Sequence, residues 1–302
     1  MRADVQRVLE LIQGGDRNSL EQALSLLQDT VFSFSMKVCG QKQDAEDTMQ
    51  EVLLRSIPNL PKFDSPRALA VWLYKVAKTR CLISRRRSKF APKEALSLED
   101  LMPDRRELES LSAGNDGTPE VSLMRRENAK LLRQAVQRLP PDYRLILVLH
   151  DMEELNDEEI AEITGLRAGT IRVRLHRARL FVRKELARKV SSRTKSKRGA
   201  AVSQPTHAPG RNCKQLFAEL SDYLDDELDD SLCAELEKHL RGCAPCQAFL
   251  STLEKSIEQC RASPNEPLDP VRAANLRREL LAEYQKVISN ALAGKPSAKL
   301  GT

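Results

Sequence analysis

The chain has 302 residues, of which 41% are hydrophobic, 30% are charged and only 4% are aromatic. This length accommodates two or three small domains, and so few aromatic residues argue against large sheet cores, so we expect an all-α fold. No stretch approaches the roughly 20 apolar residues of a membrane span, and Arg2, Asp4 and Arg7 stand where a signal peptide needs an apolar core. We therefore expect a cytoplasmic protein without membrane contacts, whose seven cysteines are thiols or metal ligands rather than a disulfide framework.

The net charge of +6 is unevenly distributed along the chain. Residues 213–260 contain four Lys or Arg against eleven Asp or Glu, a net charge of −7, so the remainder carries about +13. An excess of positive charge is typical of proteins that meet nucleic-acid phosphates, although solvated charged faces produce the same balance. Charge alone does not decide between the two.

Helical periodicity is interrupted by segments rich in Ser, Pro and Gly, which divide the chain into blocks. The segment before Pro119 and the basic segment before Pro209 have compositions that bury little surface, so both are predicted to be flexible linkers. The predicted organisation is a helical domain over 1–90, a linker over 91–120, a second helical domain over 121–190, a basic linker over 191–210, a third domain over 211–262 and an amphipathic helix over 270–292.

The second block has the pattern of a helix-turn-helix. Asn156, with Glu159 three positions later, predicts the start of a short helix, Gly165 its turn, and Gly169 the opening of a second helix. An apolar stripe on the second helix leaves short and cationic side chains on or beside its other face: Thr170, Arg172, Val173, Arg174, His176, Arg177 and Arg179.

A positively charged helix of this kind suits the DNA major groove, where arginine pairs in a bidentate way with guanine or phosphate. We expect His176 to lie on the surface or to face phosphate. An ordinary helical hairpin with a solvated basic face remains an alternative.

Aromatic and cationic residues are combined near the end of the first block, between Trp72 and Arg87. Stacking surfaces beside backbone-tracking charge are what unpaired DNA bases require, although Trp72 also fits a core position. An amphipathic acidic helix precedes this segment at 44–57, and a solvated face explains it equally well.

The third block contains a pattern of metal ligands. Cys213, His239, Cys243 and Cys246 are separated by 26, 4 and 3 positions, and the last three form H-x3-C-x2-C. Three thiolates and one imidazole suit a closed tetrahedral Zn²⁺ site with a structural or switching role. Unligated thiols in a small helical domain are the alternative. Cys39 and Cys81 stand in apolar surroundings and are predicted to be core residues.

Three motifs, DAEDTMQEVLLRS (44–56), WLYKVAKTRCLISRRR (72–87) and the long segment from LPPDYR to VRKEL (139–186), resemble extracytoplasmic-function (group 4) sigma factors. The resemblance covers roughly residues 18–190. It implies a region 2 domain that binds the clamp of core RNA polymerase and melts the promoter −10 element, and a region 4 domain that reads the −35 element.

The resemblance also implies roles for individual residues. Thr79 and Ile83 stand where the family commonly has Asn and Asp, and Val173 replaces a frequent Ser, which puts the promoter preference in doubt. The implied positions are Asp44, Asp47, Gln50 and Glu51 for core polymerase; Trp72, Tyr74, Lys75, Lys78, Thr79, Arg80, Arg85 and Arg86 for the −10 strand; and Thr170, Arg172, Val173, Arg174 and Arg177 for the −35 element.

The motifs LSDYLDDEL (220–228) and EKHLRGCAPC (237–246) resemble the zinc-containing anti-sigma domain. Those domains usually belong to separate chains that wrap a sigma factor and block its polymerase surface. The sequence is therefore interpreted as a sigma factor for promoter recognition and transcription initiation, regulated in cis by an intramolecular contact with its zinc domain.

Three alternatives stay open: an operator-binding regulator with a zinc or redox sensor, a protein that captures another sigma factor in trans, and redox chemistry at Cys243 and Cys246. We expect no enzymatic activity of the chain's own, because no nucleophile–base arrangement or phosphate-cradling loop is evident.

Overall fold

The computed structural model describes residues 2–13, 17–56, 59–60, 63–86, 95–103, 107, 121–194, 220–265 and 267–293. The regular structure in these ranges is helical, in agreement with the predicted all-α fold. No helix in the described ranges is long and apolar enough to cross a membrane. The chain divides into two compact units, Met1–Ala91 with Asn265–Thr302, and Pro92–Pro264.

The helices are numbered here in chain order. A π-helical turn at Val148–Met152 directly follows the helix Pro141–Leu147, and a further helical stretch occupies 220–224. The helices are α1 (Arg2–Gln13), α2 (Arg17–Cys39), α3 (Lys42–Ser56), α4 (Pro66–Arg86), α5 (Leu98–Leu101), α6 (Val121–Arg138), α7 (Pro141–Leu147), α8 (Asp157–Thr164), α9 (Ala168–Thr194), α10 (Asp230–Gly242), α11 (Ala244–Arg261) and α12 (Pro270–Ala293).

The first unit combines α1–α4 with the C-terminal helix α12. Apolar side chains of α2, α3 and α4, such as Leu24, Val52 and Leu69, are fully buried and form its core. Helix α12 packs on α2 and α3. The side-chain amide of Gln28 donates to the carbonyl of Ala273 at 3.2 Å, so polar contacts accompany the apolar packing of this helix.

The second unit has a core to which three separate stretches of the sequence contribute. Leu101 of α5, Leu180 of α9 and Leu236 of α10 belong to one buried cluster, together with Phe249 and Leu253 of α11. This corrects the expectation that 91–120 is a linker that buries little surface, since α5 lies within that range and Leu101 is only 5% exposed. Residues 91–94, 104–106 and 108–120 lie outside the described residues.

Local sequence explains how α8 and α9 meet. The Asn156 side chain accepts from the Glu159 amide while the Glu159 carboxylate accepts from the Asn156 amide, which caps the start of α8. Gly165 ends α8 with a φ of 74°, a left-handed conformation that glycine adopts without a steric penalty. The predicted cap and turn are therefore confirmed, and they set the entry of the chain into α9.

A disulfide joins Cys39 at the end of α2 to Cys81 in α4. Both residues are buried, at 2% and 1% exposure, so their predicted core position is confirmed. The expectation that all seven cysteines are thiols or ligands is corrected at this pair, because the α2–α4 packing brings the two side chains together across 42 positions of sequence. The described cysteines outside this bond, which form no disulfide, are Cys233, Cys243, Cys246 and Cys260.

The disulfide is expected to stabilise the first unit by restricting its unfolded chain. Closing a loop of 42 positions corresponds to about 4 kcal/mol, so reduction should lower the free energy of unfolding by up to that amount. Trp72, the single tryptophan, lies in this unit and reports its urea unfolding by fluorescence. The Cys39→Ala/Cys81→Ala variant is the control. If reductant lowered the free energy of unfolding of that variant by the same amount, the loss of stability would not come from the disulfide.

Candidate nucleic-acid and metal sites

Helix α9 buries one face in the second unit and exposes another. Ile171, Leu175 and Ala178 are at most 2% exposed, which confirms the apolar stripe read from the sequence. Thr170 is exposed and Val173 is 50% exposed, although valine is an apolar residue. The start of α9 therefore presents short side chains to solvent, as a helix that enters a DNA groove requires.

His176 does not lie on the surface, which corrects the prediction. It is 7% exposed, and its Nδ1 lies 2.8 Å from the hydroxyl oxygen of Ser221, a residue of the third block that is itself 1% exposed. Burial, together with the positive charges of Arg179 and Arg177, lowers the pKa of His176 from 6.5 to about 4. The ring is therefore neutral at neutral pH.

Arg179 lies at the centre of a buried ion cluster. Its guanidinium donates to both oxygens of Asp151 at 2.6 and 3.0 Å, and to both oxygens of Asp225 at 2.6 and 2.9 Å. Burial opposes the charge on Arg179, but the two carboxylates outweigh it and raise the pKa of the guanidinium. Burial likewise opposes the charge on Asp151, yet Arg179 and His150 lower its pKa to about 2. Arg179 is therefore engaged within the fold.

The three arginines predicted to contact the −35 element have acceptors within the second unit. Arg172 donates to Asp157 at 3.1 Å and pairs with Glu227 at 2.6 Å. Arg174 lies 3.7 Å from a carboxylate oxygen of Asp142, and Arg177 donates to the carbonyl of Leu96 at 3.1 Å.

Arg183 is a residue that the sequence reasoning missed. It donates to Thr252 at 2.9 Å and pairs with Glu107 at 2.8 Å, and its guanidinium carbon lies 3.8 Å from the ring centre of Phe249. The signal was present in the spacing. Arg172, His176, Arg179 and Arg183 follow one another at intervals of four, three and four, so they share one face of α9.

The predicted polymerase-binding residues lie on α3 of the first unit. Asp47 and Gln50 are exposed, and Asp44 is half-buried. Glu51 pairs with Arg55 at 2.5 Å and with Arg80 of α4 at 2.7 Å. The acidic face of α3 is therefore accessible at its centre and is linked to α4 by an ion pair.

Helix α4 holds the residues predicted to border the −10 strand. Thr79 and Arg80 are exposed, Trp72, Lys75 and Lys78 are half-buried, and the Trp72 ring centre lies 5.7 Å from that of Phe63. Burial and the nearby Lys75 lower the pKa of Lys78. The side chains of Arg85 and Arg86 lie outside the described residues.

Tyr74 was also predicted to border the −10 strand, and the structure corrects this. It is 2% exposed and packs edge-on against Phe34, with ring centres 4.6 Å apart. Its position on α4 faces α2 rather than solvent, so its ring is a core component.

Three of the four predicted metal ligands meet where α10 gives way to α11. One ligand atom from each of His239, Cys243 and Cys246 lies within 4.8 Å of the other two, and His239 Nε2 is 3.3 Å from Cys246 Sγ. One imidazole and two thiols at this separation fit three positions of a tetrahedral zinc site. Cys213, the fourth predicted ligand, lies outside the described residues.

Comparison with known protein families assigns three parts of the chain. Residues 24–90 match the family described as "Sigma-70 region 2", and residues 129–182 match "Sigma-70, region 4". Residues 213–247 match the family described as "Putative zinc-finger". The three matches coincide with α2–α4, with α6–α9, and with the segment that includes α10 and the His–Cys–Cys cluster.

Individual relatives agree with this assignment. The ECF RNA polymerase sigma factor SigW of Bacillus subtilis is 28% identical over 186 residues, 62% of this chain and 98% of the relative. The RNA polymerase sigma-H factor of Pseudomonas aeruginosa is 28% identical over 187 residues, 60% of this chain and 93% of the relative. The chain belongs to the sigma-70 family.

This sigma factor is of the extracytoplasmic-function type and carries the zinc-finger-family segment behind region 4. A further relative is the ECF RNA polymerase sigma factor SigE of Mycolicibacterium smegmatis. It is 32% identical over 169 residues, which are 56% of this chain and 62% of the relative. Region 4 and the His–Cys–Cys cluster lie in the same compact unit, and region 2 lies in the unit that contains α12.

The buried His176 predicts a pH dependence of the second unit. In the unfolded chain the imidazole takes up a proton near pH 6.5, but in the folded chain only near pH 4. The unfolded state therefore binds more protons in between, so stability is full above pH 6.5 and falls by about 3 kcal/mol as the pH drops to 4.

Calorimetric unfolding at several pH values checks this against His176→Gln, whose amide retains a hydrogen-bonding group near Ser221 but does not titrate. The variant is expected to lose most of the dependence above pH 4. Equal pH profiles for the two proteins would show that His176 is not the responsible group. The contribution of Asp151 falls in a separate, more acidic window, between its ordinary pKa of 3.8 and about 2.

Proposed function

We propose that this sigma factor directs core RNA polymerase to promoter DNA and initiates transcription in the cytoplasm, and that its zinc domain regulates it in cis. The observation that carries the proposal is the ordered match to sigma-70 regions 2 and 4 in one chain. Its relatives are named as RNA polymerase sigma factors. Core polymerase and promoter DNA are therefore the proposed partners.

The proposed polymerase contact uses the acidic face of α3, at Asp44, Asp47, Gln50 and Glu51. Exposed Asp47 and Gln50 support this assignment, since an interface residue must be accessible before the partner binds. An ion pair joins Glu51 on this face to Arg80 of α4, so the proposed polymerase-binding and −10 surfaces of region 2 are in direct contact.

Promoter contacts are proposed on two helices. Trp72, Lys75, Lys78, Thr79 and Arg80 of α4, with Arg85 and Arg86, would border the −10 strand. On α9, Thr170, Arg172, Val173, Arg174 and Arg177 would meet the −35 element. Exposure of Thr170 and Val173 supports the second set, because the Val173 methyls suit contact with a thymine methyl.

Zinc is proposed to bind His239, Cys243 and Cys246, with Cys213 as the fourth ligand. The grouping of the first three donors and the chemistry of imidazole and thiolate support this choice. Bound zinc would supply a structural cross-link rather than a catalytic centre. Cys246 is 4% exposed and belongs to the buried cluster of the second unit, so a cross-link here would reach that core directly.

Binding of purified core polymerase to the full chain tests the proposed partner. Asp47→Ala removes an exposed carboxylate from the proposed interface and is expected to weaken binding about tenfold, as truncation of an interface hot spot does. Glu21→Ala, an exposed acid on α2, is the matched control and is expected to bind like the unaltered chain. A failure of the unaltered chain to bind core polymerase would contradict the sigma function.

The metal assignment is tested by the zinc content of the purified chain, measured by atomic absorption. Cys246→Ser is expected to reduce the zinc-to-protein ratio sharply, because a lost ligand typically destabilises a four-coordinate site. Cys233→Ser is the control, since Cys233 lies in the same domain but outside the cluster. Zinc retained by the Cys246 variant, or absent from the unaltered chain, would refute the assignment.

A further inference from the structure

A short acidic segment of the second unit, Ser221–Glu227, lies against the face of α9 that carries Arg172, His176, Arg179 and Arg183. Three of its residues contact this face, at Arg172, His176 and Arg179. Ser221 meets His176, Asp225 meets Arg179, and Glu227 meets Arg172, with closest distances of 2.8, 2.6 and 2.6 Å. The acidic segment therefore engages α9 at three successive points, two of them ion pairs.

The backbone of the acidic segment is shaped for this contact. The helical stretch at 220–224 ends in a turn in which the Glu227 amide donates to the Asp222 carbonyl at 2.8 Å. Asp226 has a φ of 57°, in the left-handed region that side-chain-bearing residues rarely occupy. Asp225 and Glu227, on either side of Asp226, both contact α9.

Apolar residues on either side hold the acidic segment in place. Leu220 is 1% exposed and Leu228 packs on the same buried cluster, which also contains Cys246. Tyr223 and Leu224, from within the acidic segment, pack there too. The acidic segment is thus fixed by the core that α9, α10 and α11 share, and its carboxylates are presented at defined positions.

Arg172 and Arg179 differ in whether their side chains are accessible to DNA. The Arg179 side chain is fully buried and also bound by Asp151, so it belongs to the fold. The Arg172 side chain is 43% exposed, stands one turn from the start of α9, and is one of the residues proposed to meet the −35 element. A guanidinium that holds Glu227 at 2.6 Å cannot present the same N–H groups to a phosphate.

We propose that the acidic segment occupies, on α9, the position of the DNA sugar–phosphate backbone, so that Glu227 competes with duplex DNA for Arg172. This inference rests on the proposed function and specifies where the zinc domain acts on region 4. Carboxylate and phosphate oxygens accept the same charge-assisted hydrogen bonds from arginine, so one excludes the other. Binding of the −35 duplex requires that Glu227 withdraw from Arg172.

The test uses the full chain and a fluorescent duplex of about 30 base pairs with randomised sequence, since phosphate contacts do not depend on sequence. Glu227→Gln is expected to bind this duplex about two- to fivefold more tightly, the range typical of one partly exposed ion pair. The Arg172 η nitrogen that Glu227 held should then add one phosphate contact, while Nε still donates to Asp157. That contact steepens the dependence of log Kd on log salt by about 0.9.

Two further variants separate this competition from a general effect of charge. Glu235→Gln removes the same charge from an exposed position on α10 and is expected to leave both the affinity and the salt slope close to those of the unaltered chain. Arg172→Ala/Glu227→Gln is expected to show neither the gain in affinity nor the steeper slope. Thermal unfolding of each variant checks that its fold is kept.

Equal behaviour of the Glu227 and Glu235 variants, or a gain that survives removal of Arg172, would overturn the competition. Core-polymerase binding, measured on the same proteins, distinguishes failure of the competition from failure of the proposed sigma function. Retained polymerase binding with no effect of Glu227→Gln on DNA rejects only the competition. A gain in DNA affinity without polymerase binding supports the competition and rejects the sigma function.

Discussion

Arg179 is the charge around which the second unit is organised. Its side chain and that of Asp151 are both fully buried, and the bidentate contact with Asp225 ties the zinc-finger-family segment to the same guanidinium. Removing Arg179 would leave the buried Asp151 carboxylate uncompensated, which costs about 3–5 kcal/mol. Arg179 therefore couples region 4 to the acidic segment Ser221–Glu227, because it binds Asp151 of the former and Asp225 of the latter.

The placement of Asp151 depends on an irregularity in the chain. The π-helical turn at Val148–Met152 follows α7, and Asp151 lies within it, fully buried and 2.9 Å from the His150 imidazole nitrogen. A single-turn π-helix often marks a functional position, because it redirects a side chain that a continued α-helix would aim elsewhere. Here the redirected carboxylate gives Arg179 a permanent partner inside region 4, so the contact with Asp225 is an addition to a charge already neutralised.

Local patterns in the sequence predicted the helices, the capping box at Asn156 and the apolar stripe of α9, because each depends on residues within one or two turns. The burial of His176 was not predictable in this way. It follows from Ser221, 45 positions later, which the fold brings over α9. Tyr74 was misplaced for the same reason, since aromatic residues among lysines are typical of a DNA-facing edge, but packing of α4 on α2 turns this ring inward.

The zinc-finger-family segment and α12 contact different sigma regions, and the two contacts differ in kind. The acidic segment meets region 4 through carboxylates on α9, whereas α12 packs on region 2 through apolar side chains such as Leu280, with Arg277 donating to Ser25 and Gln28. The first contact is electrostatic and partly exposed at Glu227, so it weakens with salt and yields to a competing polyanion. The second contains an ion pair between Arg272 and Glu46 at 3.0 Å, but it also buries apolar surface, so we expect it to respond less to salt and polyanions. Under the proposed competition, a polyanion such as duplex DNA acts on the region 4 contact while leaving the α12 contact in place.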